Sequence, residues 1–224
     1  MNAKNRIFKA SLVILLVFLA LFTVSNTYAY WQDLGSFNTT SNNNLSIGKW
    51  YHSKQYQTGF ESYNNKNYVT TQDVNFDGVL WDVSNVMTAT SSDDSYYDSR
   101  GLRLKNTAYL MSSESFYGVE SISFYIGDTR GGLFGLGTSN YNVQISSDGI
   151  NFDTIYSGNA STSFQLVNID VEDLLTDGYT LSNGVTVDLE SNLYIKINFQ
   201  GWGLLTDRLV NLDNLTVDYR SLLR

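Results

Sequence analysis

The sequence predicts an all-β chain, a β-sandwich standing behind a signal peptide and a polar arm. Three observations predict it. Near the C-terminus Leu193, Ile195, Ile197 and Phe199 interleave with Tyr194, Lys196 and Asn198, the two-residue period of a half-buried strand. From Gly59 onward, short stretches of the same kind recur between turn signals, the spacing of a sandwich. Helical periodicity is absent apart from residues 171–176, which could form one turn.

The elements follow in chain order. Lys4, Arg6 and Lys9 precede an unbroken apolar run from Leu12 to Phe22, and Thr27-Tyr28-Ala29 closes it. This order of charge, apolar core and small residues is that of a secretory signal, so residues 1–29 are expected to be cleaved after Ala29. The alternative is a retained membrane anchor, although residues 10–24 fall short of the roughly 20 that span hydrocarbon. Residues 30–58 read as a polar arm or linker, with an Asn, Ser and Thr tract at 38–44. Residues 59–220 carry the sandwich. Within it Val79, Trp81 and Val83 share a face after the turn Asp77-Gly78, and residues 91–100 form a polar loop. Leu102 and Leu104 oppose Arg103 and Lys105, and Ile122, Phe124 and Ile126 lead into a glycine-rich loop at 127–137. Tyr141, Val143 and Ile145 run into Ser147-Asp148-Gly149-Ile150, a hairpin turn with the favoured Asp-Gly pair. Phe164 and Leu166 are out of phase with Val167, Ile169 and Val171, which signals a bulge or a break.

Composition narrows the function. The chain has 14 basic and 22 acidic residues. Loss of Lys4, Arg6 and Lys9 with the signal leaves eleven basic residues against the 22 acids, a charge of −11. Nucleic acid and anionic membranes are therefore poor partners, since both want a basic surface. Divalent cations and neutral sugars remain open. There is no cysteine, so stability rests on the core, on metal or on assembly.

Several motifs in order carry a resemblance: Gly59-Phe60-Glu61, residues 75–81 (NFDGVLW), Gly101-Leu102-Arg103-Leu104, residues 118–124 (GVESISF), residues 141–155 and Leu212-Asp213-Asn214-Leu215-Thr216-Val217. This series resembles the carbohydrate-binding-module-like jelly-roll modules of secreted bacterial hydrolases and surface adhesins. It covers residues 59–219. The junction at 28–31 and the approach to Trp50 resemble the N-termini of Gram-positive extracellular matrix proteins. The first resemblance implies a non-catalytic, exported or cell-surface module, and a structural calcium ion held by an acid from the first strand and one from the last. Here those positions are Glu61 and Asp213.

The residues themselves suggest the same pair. Asp213 shares parity with Leu215, so an unbroken strand would aim it at the core, where a carboxylate needs a cation or a set of donors. Two carboxylates with backbone carbonyls and water can hold calcium; otherwise Glu61 is exposed and Asp213 caps a turn or pairs with Arg208. Asp73-Val74-Asn75-Phe76-Asp77-Gly78 resembles the opening of a calcium loop, but Ser84 stands where the bidentate Glu belongs, which favours a turn.

For carbohydrate, exposed rings beside hydrogen-bonding groups are needed. Candidates are Trp202 between Gly201 and Gly203, Tyr96 and Tyr97 in the polar loop, and Asp128 with Arg130. The structural alternative has Trp202 covering an end of the core and the tyrosines as plain surface. Catalysis finds little support. His52 is the sole histidine and lies in the arm, no G-x-S-x-G elbow occurs, and no acids alternate along a strand. A glycan-active hydrolase is the weaker alternative. A structural subunit is the stronger one, in which residues 30–58 add to another copy's sheet edge and build fibres.

Overall fold

The computed structural model describes residues 51–92, 94–129, 137–202 and 207–222. The signal region, the arm up to residue 50, Arg130 and the rest of 130–136 lie outside the described residues. The described body, Ser53–Ser221, is built almost wholly of strands. In order they are β1 (Tyr51–Thr58), β2 (Gln72–Phe76), β3 (Val79–Ala89), β4 (Gly101–Ser112), β5 (Phe116–Tyr117), β6 (Val119–Asp128) and β7 (Thr138–Ser146). There follow β8 (Asp153–Asn159), β9 (Gln165–Asp170), helix α1 (Glu172–Leu175), β10 (Tyr179–Thr180), β11 (Thr186–Val187), β12 (Asn192–Trp202) and β13 (Leu209–Leu222). The all-β sandwich expected from periodicity is what forms, and α1 fills the place of the single helical turn. β1 pairs with β13, so part of the stretch read as arm belongs to the sheet.

The pairing runs β8-β7-β12-β4-β13-β6-β9, with β2 and β3 added beside β4. β4 joins the two layers. Its first half, Leu102–Lys105, pairs with β13, and its second half, Tyr109–Met111, pairs with β12. β3 follows it along both halves, with a bulge between Ser84 and Val86. Asn85 and Thr107 take positive φ there, and the Asn85 amide donates to Asn106 O and Thr107 Oγ1 at 3.3 Å. A bulge with asparagine in the left-handed region is a cheap way to turn a strand pair through a corner.

Alternation then builds the core. The odd-numbered residues of β12 from Leu193 to Phe199 are fully buried, as are Ile122, Phe124, Val143 and Ile145, and they share one cluster with Phe60 and Leu215. Trp81 is fully buried; its indole donates to Tyr56 Oη at 3.0 Å, and that hydroxyl donates to Phe76 O at 2.9 Å. Asp77 and Gly78 form the two-residue β2–β3 turn, both at positive φ, and Gly78 N donates to Asn75 Oδ1. The calcium-loop-like motif is therefore a hairpin turn. On β9 Val167 and Ile169 face the core, while Leu166 lies 55 % exposed.

Candidate functional site

The outward side chains of the β3-β4-β12-β7-β8 layer form a polar surface whose composition register alone explains. Asp82 pairs with Met111, Met111 with Lys196, Lys196 with Gln144, and Gln144 with Thr154. The next row holds Ser84, Tyr109, Asn198, Asn142 and Ser157. Because successive residues of a strand alternate faces, these rows stand together on the side opposite the core. Tyr109 donates its hydroxyl to Asp82 Oδ2 at 3.0 Å, and Gln144 Nε2 donates to Thr154 Oγ1 at 3.2 Å. Burial, with the Asp82 bond and charge adding, pushes the Tyr109 phenol above its ordinary pKa, so it stays a neutral donor. The ammonium of Lys196 lies 4.8 Å from the Tyr109 ring centroid and 5.4 Å from that of Phe152.

Trp202 ends the same face. It has the outward parity of Tyr194, Lys196, Asn198 and Gln200, pairs with Thr138 on β7, and is 58 % exposed. At the other end the β7–β8 turn covers Tyr194, since a Cβ on Gly149 would sit 3.5 Å from the ring. From Tyr194 to Trp202 the strand offers about 26 Å of face, at ~3.3 Å per residue.

The other residues singled out from sequence lie elsewhere. Asp128 is buried: it pairs with Arg208 at 3.3 Å and accepts Ser139 Oγ at 2.6 Å, which makes it a structural anchor closed to a ligand. Arg130 is outside the described residues. Tyr96 is half-buried, with its Cβ near Gly101, while Tyr97 is 43 % exposed and packs on Tyr125 and Phe164 at 4.5 and 5.7 Å between centroids. That cluster sits outside the β13-β6-β9 layer, apart from Trp202. The same layer carries a groove of about 380 Å3 lined by Glu120, Asp170, Glu172 and Asp218. Its acids are engaged locally: Gln55 and Ser121 donate to Asp218, and Arg220 bridges Glu120 and Glu172.

Glu61 and Asp213 do come together, though not as an unbroken strand would arrange them. β13 bulges between Asp213 and Thr216, with Asn214 at φ 49°. The bulge shifts the strand's phase, so Val210 and Leu212 face the core before it and Leu215 and Val217 after it. Asp213 and Asn211 point the other way and are buried beneath the 94–100 loop. Ser95 N donates to Asn211 Oδ1 at 2.9 Å and Tyr97 N to Asp213 Oδ2 at 2.7 Å. Glu61 accepts Ser99 N and Arg100 N at 3.2 Å and the Ser99 hydroxyl. Burial, opposed by two backbone donors and helped by the charges of Glu61 and Asp98, pushes the Asp213 carboxyl up to about 6. No ion pair among the described residues reaches Asp213. Arg208, the partner weighed from sequence, serves Asp128 instead.

Sequence reasoning singled out Trp202 and missed the polar strand face on which it stands. Lys196 and Asn198 were visible as the outward half of an alternating strand, but their neighbours Tyr109, Asn142 and Gln144 come from strands far apart in sequence. Fold and site together define an all-β sandwich with one amide-rich, aromatic-flanked sheet face. No family model and no curated protein matches the chain. Solved structures do. It is similar to a family 61 carbohydrate-binding module, TmCBM61, solved with β-1,4-galactotriose, at 12 % identity and TM-score 0.42, over 73 % of this chain and 95 % of that one. It is also similar to the K3 cleaved adhesin domain of Lys-gingipain from Porphyromonas gingivalis, at 14 % and 0.44, over 75 % and 99 %. A third is the family 11 carbohydrate-binding module from Clostridium thermocellum with a β-1,3-1,4-mixed-linked tetrasaccharide, at 14 % and 0.40, over 74 % and 94 %. These are likenesses of overall build, and no ligand is carried across from them.

Proposed function

We propose that this chain is a non-catalytic, exported carbohydrate-binding module whose ligand lies along the outward face of β4, β12 and β7. The observation that carries this reading is the registered row Tyr109, Asn198 and Asn142 on the same sheet face as exposed Trp202, four residues farther along β12. Pyranose rings present apolar faces that stack on an indole and hydroxyls that pair with carboxamides, and such a face supplies both. The Tyr109 phenol spends its proton on Asp82 and offers its oxygen as an acceptor. Isothermal titration against a glycan panel tests it. Trp202→Ala and Asn198→Ala should each weaken the bound glycan about tenfold or more while leaving Tm unchanged. Full binding by Trp202→Ala removes that residue as the anchor, and no binding to any glycan removes the reading.

A divalent cation at Glu61 and Asp213, with calcium as the ion, is a second part of the proposal. What favours it is a fully buried carboxyl held above its ordinary pKa by burial and by two further acids. When bound, calcium would neutralise that charge and tie β13 to the segment after β1. The carboxylates already accept hydrogen bonds from the 94–100 loop, and no cluster of three acidic, His or Cys ligands occurs among the described residues, so remaining ligands would be carbonyls and water. Calorimetric melting with calcium and with chelator tests it; equal midpoints reject it.

A further inference from the structure

We propose that the glycan taken by this face carries carboxylate groups, and that Lys196 selects for them; the inference rests on the binding-face reading above. The strands of the face contain three cations. Arg103 is paired with Asp94 and Lys105 with Asp207, which leaves Lys196. Its ammonium is held by the Tyr109 and Phe152 rings, and no ion pair among the described residues includes it. The acid in its own row, Asp82, stands two strands away beyond Met111, about 10 Å between backbones. Asp82 also accepts the Tyr109 hydroxyl.

A ring holds an ammonium by its quadrupole and sets no oxygen acceptor against its three N–H donors, so these remain able to donate. A carboxylate reaching it gains a charge-assisted bond stronger than the ring contact, and the rings keep the side chain extended to meet it. Gln144 and Asn142 on β7 and Asn198 on β12 remain for hydroxyls, which with the ammonium is the mixture a uronic acid unit needs. The acidic surface of the molecule does not forbid this. Exposed charges farther off than a Debye length of about 8 Å are screened at physiological salt, and Lys196 is the charge in contact.

The test is titration of the whole exported protein with polygalacturonate and with neutral β-1,4-galactan, at low and high salt. Polygalacturonate should bind more weakly as salt rises; Lys196→Gln should lose at least about tenfold, and Lys196→Arg should retain binding. Galactan binding, where present, should be indifferent to Lys196→Gln. Galactan bound without polygalacturonate, or polygalacturonate bound equally by Lys196→Gln, overturns the selectivity and leaves the face intact. Failure of every glycan to bind overturns both. Should Lys196→Gln not fold, the wild-type salt series decides, and binding indifferent to salt overturns the inference.

Discussion

Asp128 and Arg208 show how a residue can look exposed in sequence and be structural in the fold. Both are nearly inaccessible, and each neutralises the other where β6 and β13 run side by side. Removing one partner of a buried pair strands the other charge. Arg208→Leu should therefore cost about 3–5 kcal/mol in denaturant unfolding, whereas the double change with Asp128→Asn should recover a good part of it. Asp213 makes a different prediction. Its folded pKa of about 6 stands above its ordinary value of 3.8, so the folded state binds that proton more tightly. In chelator, stability should be highest on this account below about pH 4 and fall as pH rises through about 6. Asp213→Asn should flatten that slope in melts taken across the range. A slope unchanged by the substitution would show that another group titrates there.

At the level of elements, strands with one wet face were legible and strands covered twice were not. The zigzag of Leu193 to Phe199 gives β12 directly, because its other face meets water. β13 reads poorly at its start because Leu209–Asp213 is buried throughout, the core on one side and the 94–100 loop on the other. The parity that aimed Asp213 inward failed for a related reason: Asn214 breaks phase, and nothing in an asparagine-rich chain marks that one asparagine as a bulge. The proposed binding face was only half legible. Trp202 announces itself between two glycines, but the amides beside it acquire meaning only through register across strands remote in sequence. Close packing at an edge supplies another test. A Cβ on Gly158 of β8 would fall 2.4 Å from the Tyr141 ring and hydroxyl, and Tyr141 is buried against Phe124. Gly158→Ala should destabilise by about 1–3 kcal/mol in denaturant melts.

Across the molecule, stability comes from one shared core, with no covalent cross-link available to a chain without cysteine. Calcium bound only by the folded state would add to this by mass action. At a concentration one hundred times its Kd, the expected gain is about 2.7 kcal/mol, visible as a raised Tm. The strand pair β3-β4, which serves both layers, has a further consequence. Neither layer can open by itself without pulling apart the hairpin that the other also depends on. Amides of β12 and of the β4-facing part of β13 should therefore exchange with solvent deuterium at one common slowest rate, and a destabilising change in either layer should quicken both equally.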